Sequence, residues 1–323
     1  MLSEIAGLLL SKTRLAVLTH NSADGDTLGS ALAVSLALRK LGKDVSLIYE
    51  EEYPDYLSFL LKGKDFFIFL PDNPGILECT WDAVAVFDTA DPKLLGERER
   101  LLKQTGCVVN IDHHITNDGY GDYNHVDVGV SSAAELAYEL NDELGVPMDR
   151  DIAVALYTGI CTETGGFSYN NTTCASHEIA AKTLRFGIDV AHLRYKFFDE
   201  ISPGKLRCHA FVANTLKFHG DGKYAIAIVS AATLLELGAT EADCEGLVNI
   251  GRNVVGVTVS IFAREIRPGE FRINLRSRED FDVAAMAREF GGGGHKLAAG
   301  CTICAEAPEV ESMLLNALYA RGS

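Results

Sequence analysis

The chain has 323 residues, enough for two domains that each bury a core of their own. Its 47% apolar and 23% charged residues are those of a globular protein and exclude a disordered or fibrous one. A formal net charge of −16 argues against a protein that grips long DNA or RNA by its phosphates.

The opening Met1-Leu2-Ser3-Glu4 places no basic region ahead of its apolar residues, so no signal peptide is expected. The longest apolar runs fall short of the ~18 residues of a membrane helix. Both readings predict a cytoplasmic protein without a membrane partner. Most of the eight cysteines lie inside apolar runs, which suits reduced, buried thiols. The single C-x-x-C, Cys301 to Cys304, has no second pair and reads as part of a strand.

In chain order, residues 15–19 read as a strand and 27–41 as a helix stopped by Gly42. Residues 45–49, 66–70, 83–87 and 107–111 follow as short apolar strands separated by helical or turn segments. This alternation is the signature of a parallel α/β sheet. Ser131 and Ser132, with Glu135 in the first turn, open a helix. Further helices are expected over 150–161, 174–186 and 192–198. A connection over 189–204 separates a domain of residues 1–188 from one of residues 205–323. In the second, smaller domain a helix over 205–218 precedes antiparallel-looking strands at 224–229, 254–262 and 271–275. A turn at 267–270 joins the last two, and a helix over 310–319 ends the chain.

Three of these strands run into acidic or imidazole groups. The first leads to His20, Asp24 and Asp26, the 83–87 strand to Asp88, and the 107–111 strand to Asp112, His113 and His114. In an open parallel sheet such ends line one crevice. Hard carboxylates and imidazoles converging there point to divalent metal ions. Asp26 would also cap the helix that follows it. Two carboxylates and a histidine within seven residues are costly to bury together without a cation. Asp88, at the end of an interior strand, is the central candidate to bridge two ions, an arrangement suited to in-line attack on phosphorus. His113 and His114, adjacent on extended backbone, should point in opposite directions, one to metal and one to substrate, with Asp112 orienting an imidazole. Residues 158–167 read as a small-residue turn whose one acid, Glu163, can supply a last ligand.

The second domain carries its own signal. Gly291, Gly292, Gly293 and Gly294 run into His295, and four consecutive glycines let backbone N–H groups form a nest for an anion. His295 and Arg276 can add charge-assisted contacts. Between Arg252 and Arg288, seven arginines stand against five acidic residues in a chain that is otherwise strongly acidic. A basic patch this small suits a small anionic ligand better than a polymer.

Taken in order, these motifs resemble the DHH–DHHA1 phosphoesterase family, named for a triplet like Asp112-His113-His114, and the resemblance covers almost the whole chain. It implies an N-terminal parallel-sheet DHH domain, a smaller α/β DHHA1 domain and an active site in the cleft between them. By resemblance, His20, Asp24 and Asp88 would hold one metal, and Asp26, Asp88, His113 and Glu163 a second. His114 would contact the scissile phosphate, making it and Asp88 the catalytic pair. Gly292, Gly293, Gly294, His295 and Arg276 would hold the distal part of a nucleotide. The family usually uses Mn²⁺, with Mg²⁺ or Co²⁺ as alternatives. One position departs from the family pattern: Glu163 stands where an aspartate is usual, which bears on metal preference and activity.

The resemblance is nearest to stand-alone oligoribonucleases that also remove the 3′-phosphate of adenosine 3′,5′-bisphosphate. The expected substrate is thus a short RNA of about two to five nucleotides or a small nucleotide, not a long polymer. A phosphodiesterase of cyclic di-AMP or its linear product pApA is the alternative. A weakly active nucleotide-binding protein, limited by Glu163, is a third. The apolar content permits a homodimer.

Overall fold

The computed structural model describes residues 1–278 and 281–321. Its internal contacts divide the chain into two units, Met1–Glu200 and Ile201–Ser323.

The first unit is built on a six-stranded sheet: β1 (Arg14–Leu18), β2 (Asp44–Tyr49), β3 (Phe67–Phe69), β4 (Ala83–Phe87), β5 (Val108–Asp112) and β6 (Tyr123–Val126). The strands lie in the order β3-β2-β1-β4-β5-β6 and every pair is parallel. Its helices are α1 (Leu2–Ser11), α2 (Gly25–Lys40), α3 (Glu99–Leu102), α4 (Ala133–Glu143), α5 (Arg150–Glu163), α6 (Cys174–Leu184) and α7 (Val190–Arg194).

The strands are apolar on both sides because both faces are covered. Leu15, Val17, Ala85, Phe87, Val109 and Ile111 pack against α1, α2, α4 and α5, while Ala16, Leu18, Val84 and Val86 pack the other way with Leu70, Trp81, Leu95 and Leu101. Helices α2 and α5 approach closely because both carry small residues. A Cβ at Gly29 would lie 2.5 Å from the Ala155 carbonyl and 2.8 Å from the Gly159 nitrogen. The strand order reverses direction between β1 and β4, so the carboxyl ends of those two strands and of β5 open on the crevice where such folds bind ligands.

One expectation needs correction here. Residues 158–167 are not all turn: α5 continues through Glu163, and the chain then leaves the helix through Gly165, Gly166 and Phe167, with φ of 57°, 66° and 64°. The helix expected over 192–198 is present as α7 followed by a π-helical turn at Tyr195–Asp199. Leu193 and Phe197 anchor it on the first unit.

The second unit contains α8 (Pro203–Thr215), β7 (Lys217–His219), β8 (Tyr224–Val229), α9 (Ala231–Glu236), α10 (Val248–Arg252), β9 (Val259–Arg267), β10 (Glu270–Ser277), α11 (Val283–Glu289), β11 (Gly293–His295), β12 (Ala298–Cys304) and α12 (Ala307–Arg321). The sheet order is β11-β12-β10-β9-β8-β7. It is mixed, not wholly antiparallel as its hairpins suggest, because β8 and β9 run parallel through the intervening α9 and α10. The strand expected over 254–262 begins only at Val259, and the helix expected over 205–218 stops at Thr215, where Leu216 turns extended and Lys217 starts β7.

Phe271, Ile273 and Leu275 face a core shared with Val310, Leu314 and Leu318 of α12. Strand alternation therefore turns Arg272, Asn274 and Arg276 to the opposite side. There α8 and α10 pack on Ala227, Val229 and Phe262 of the neighbouring strands. Cys301 is buried within β12 and Cys304 exposed at its end, as a strand reading requires. Glu279 and Asp280, two of the acids counted against the seven arginines, lie outside the described residues. Among the described residues no helix is long and apolar enough to cross a membrane.

Candidate metal centre

Three strand ends converge as the sequence predicts. The Nε2 of His20 lies 4.0 Å from Asp24 Oδ1 and 3.7 Å from Asp88 Oδ2. The Nε2 of His113 lies 3.4 Å from Asp88 Oδ1 and 3.6 Å from Asp26 Oδ2, and the Nδ1 of His114 lies 3.5 Å from Asp88 Oδ1. Two ligand clusters result, His20–Asp24–Asp88 and Asp88–His113–His114, and Asp88 is common to both.

Asp88 is buried, and its backbone is in the left-handed region with φ of 54°. A non-glycine residue there carries strain of about 1–3 kcal/mol, a cost that persists where the surroundings hold the residue firmly. Its N–H donates to the Ile111 carbonyl at 2.9 Å, so β5 fixes the turn that aims the carboxylate at the histidines.

Asp24 and Asp26 are placed by backbone donors. Asp24 is the N-cap of α2 and accepts from the N–H groups of Asp26 and Thr27 at 3.0 and 3.1 Å. Asp26 does not cap α2, the helix that begins beside it. Fully buried, it accepts instead from Ala133 and Ala134 at the start of α4, at 2.7 and 2.9 Å. Glu163, in the last turn of α5, adds negative charge close enough to act on Asp26, His113 and His114. Asp26 and Glu163 thus share the neighbourhood but belong to neither of the two tight clusters.

The histidine pair needs another correction. Strand β5 ends at Asp112, so alternation does not extend to the two histidines, and their rings do not diverge. The ring centroids are 4.6 Å apart, and both rings face Asp88. What separates them is Asp112. Its Oδ1 accepts from the His113 and His114 N–H groups at 2.8 and 3.3 Å and lies 2.8 Å from His114 Nδ1. Asn117 donates to the other carboxylate oxygen at 2.6 Å. His114 is thereby oriented through Nδ1, and it is half exposed while His113 is mostly covered. Sequence reasoning missed Asn117, whose only signal was an amide five residues after Asp112.

The electrostatics fit a cation. Burial, then repulsion from Asp88, raises the pKa of Asp24, and burial with the charges of Asp88, Asp24 and Glu163 raises that of Asp26 further. Burial followed by the charges of Asp24 and Asp88 brings Glu163 to about 7. Burial works against Asp88 as well, but the close imidazoles of His113 and His20 outweigh it and hold this carboxyl low. The hydrogen bond to Asp112 raises His114 to about 9. Two buried polar atoms, Asp88 Oδ1 and His113 Nε2, have no hydrogen-bond partner. Such atoms are costly unless something satisfies them, and both are ligand atoms aimed at the same point. A divalent ion fits that donor set.

The second unit gathers the other predicted residues only partly. Arg276 lines a hollow of about 390 Å³ with Arg272, Asn274, Arg264 and Glu241. Gly292 and Gly293 line a second, of about 520 Å³, which also includes Arg272 and Asn274. Arg272 and Asn274 were missed, although the alternation of Phe271, Ile273 and Leu275 with polar residues marks them. The glycines form less of an open nest than expected. The Gly291 and Gly292 N–H groups donate to Arg288 and Ala287 carbonyls, and Gly293 to His295 form β11 against β12. Gly292 is needed for packing: a Cβ there would collide with the Gly300 carbonyl and Cys301. Gly294 and His295 follow in β11, with His295 exposed.

Comparison with known proteins finds matches in both units. The model of the DHH family N-terminal domain matches residues 14–160, and that of the DHHA1 domain matches residues 221–320. The chain is 33% identical to the bifunctional oligoribonuclease and PAP phosphatase NrnA of Thermus thermophilus, over 89% of this chain and 83% of that one. It is 27% identical to the protein of the same name from Bacillus subtilis, over 88% and 87%. An exopolyphosphatase-related protein from Bacteroides fragilis superposes with a TM-score of 0.87 at 25% identity, covering 99% of this chain and 95% of that one. RecJ from Thermus thermophilus shares the fold, with a TM-score of 0.56 at 16% identity, over 99% of this chain and 54% of its own.

Proposed function

Because the chain belongs to the DHH family and carries a DHHA1 domain, and is therefore a metal-dependent phosphoesterase, we propose that it hydrolyses short oligoribonucleotides and adenosine 3′,5′-bisphosphate. The observation that carries the reading is the sharing of Asp88 between two ligand clusters at the ends of β1, β4 and β5. The substrate class follows the relatives, whose names state both activities.

In this reading His20, Asp24 and Asp88 hold one divalent ion, and Asp26, Asp88, His113 and Glu163 a second, with Mn²⁺ the expected metal. When bound, the ions polarise a phosphate oxygen and lower the pKa of a water. The chain's own residues do the rest. Asp112 holds His114 by Nδ1, so Nε2 is left to donate to a phosphate oxygen, and a pKa of about 9 keeps the ring charged at neutral pH. Asp26, tied to the α4 N–H groups, keeps its place as charge develops on the substrate. In the second unit Arg276, the glycines Gly292, Gly293 and Gly294, and His295 hold the distal part of the nucleotide, with Arg272 and Asn274 beside them.

The test is product analysis with Mn²⁺ on four substrates: a dinucleotide, a 5-mer RNA, adenosine 3′,5′-bisphosphate and cyclic di-AMP. The reading expects turnover of the first three. Cleavage of cyclic di-AMP or pApA alone would replace it with a di-adenylate phosphodiesterase. Binding without turnover would leave a nucleotide-binding protein.

A further inference from the structure

We propose that Arg98, acting through Asn21, is a positioning residue that fixes the imidazole of His20 for metal binding. The inference rests on the reading of His20 as a ligand. Arg98 ends the 3-10 segment Pro92–Arg98 and is among the largest fully buried side chains of the molecule. A buried guanidinium is a costly way to fill a core, since an apolar side chain of similar volume would serve packing equally well. Its donors are committed to specific acceptors. Nε donates to the Leu95 carbonyl at 3.1 Å and Nη1 to the Ile48 carbonyl at 2.9 Å. Nη2 donates to Asn21 Oδ1, and Glu50 lies 3.7 Å from Nε as the counter-charge.

Asn21 is where this network meets the metal centre. Its N–H donates to the Leu94 carbonyl at 2.7 Å, so one segment holds both its backbone and its side chain. Its own carbonyl lies 2.7 Å from His20 Nδ1. A carbonyl only accepts, so this contact places the ring proton on Nδ1 and leaves the Nε2 lone pair toward Asp24 and Asp88. Strand β1 stops at Leu18, and residues 19–24 have no ladder of their own. Their conformation is imposed from outside. Ser22 sits at φ 53° and its N–H is held by Glu51 at 2.6 Å. Gly96, at φ 61°, leaves the space in which the Glu50 and Asn21 side chains meet Arg98.

The experiment is calorimetric titration of Mn²⁺ into the parent protein, His20→Ala, Asn21→Ala and Arg98→Lys. Lysine keeps the charge but not the planar fork, so it separates positioning from electrostatics. We expect Asn21→Ala and Arg98→Lys to weaken Mn²⁺ binding about 10–100-fold, the usual loss when a ligand's outer partner is removed. At saturating Mn²⁺ their KM for a dinucleotide should stay at the parent value. A folded Asn21→Ala protein that binds Mn²⁺ as tightly as the parent overturns the inference. If His20→Ala also binds as tightly, the metal-site reading itself fails. Ring ¹⁵N shifts of His20 in the unsubstituted, metal-free protein give a measure that needs no variant: a proton on Nε2 with Nδ1 bare would overturn the proposal.

Discussion

His113 and His114 are neighbours in sequence and in space, yet Asp112 gives them different work. His113 turns an unpartnered Nε2 toward Asp88 and Asp26, whereas the Nδ1 of His114 is already occupied. His114→Ala should therefore lower kcat by about 10²–10³, the typical loss of one charge-stabilising group, while Mn²⁺ affinity stays close to that of the parent. Loss of the metal in this variant would reverse the assignment of the two rings. Glu163 is the other telling residue. It reaches the centre from the last turn of α5, where a side chain one methylene shorter would pull the carboxylate back. Glu163→Asp should alter the ratio of Mg²⁺- to Mn²⁺-supported turnover, because Mg²⁺ demands near-ideal octahedral geometry and Mn²⁺ is the more forgiving ion. Turnover across titrations of both metals checks this, and identical profiles would mean that Glu163 is an equivalent ligand or not a ligand at all.

At the scale of elements, β10 is the clearest case of a strand with two jobs. Its odd-numbered residues Phe271, Ile273 and Leu275 fill the core, and its even-numbered Arg272, Asn274 and Arg276 line the two hollows. Arg276 is half-buried with its pKa lowered by burial and by the neighbouring Arg252, a like-charge arrangement that an anion would relieve. Arg276→Ala and His295→Ala should cost activity on a dinucleotide by about tenfold or more, as loss of charge-assisted hydrogen bonds does. They should leave hydrolysis of bis-p-nitrophenyl phosphate nearly unchanged. Equal losses on both substrates would remove the second unit from nucleotide recognition.

At the scale of the molecule, charge governs two outcomes. The metal-free protein keeps Asp24, Asp26 and Glu163 above, and His20, His113 and His114 also above, their ordinary pKa values. For every one of these groups the folded state holds its proton more tightly than the unfolded chain. Their contribution to stability is thus full at low pH and is lost as pH rises, through about 7 for Glu163 and about 9 for His114. The Tm of the metal-free protein should fall between pH 6 and pH 9, and the gain in Tm on adding Mn²⁺ should grow over the same range. A Tm gain independent of pH would speak against ligation by these groups. The second outcome is substrate length. With a net charge of −16, turnover should decline from a 2-mer to a 24-mer RNA, since long polymers need many phosphate contacts to offset repulsion. Rates on both lengths at two salt concentrations test this, and faster turnover of the 24-mer would indicate a processive enzyme.

Local pattern carried much of this protein. Short apolar runs bounded by turns determined the parallel sheet, since only strands covered on both faces read that way. Their ends determined where His20, Asp24, Asp88 and the Asp112–His114 triplet would meet, because the carboxyl ends of parallel strands share one edge. Tertiary structure decided what pattern cannot encode. The helical seat of Glu163 depends on packing between α2 and α5, and the shared direction of His113 and His114 on where β5 stops. Asp26 serves α4 instead of α2 through hydrogen bonds across more than a hundred residues. Arg98 and Asn21 are joined across 77 residues. A single arginine in a turn carries no sign in the sequence of the acceptors that will surround it, because those acceptors, two backbone carbonyls and the Asn21 side chain, take their positions only once the chain has folded.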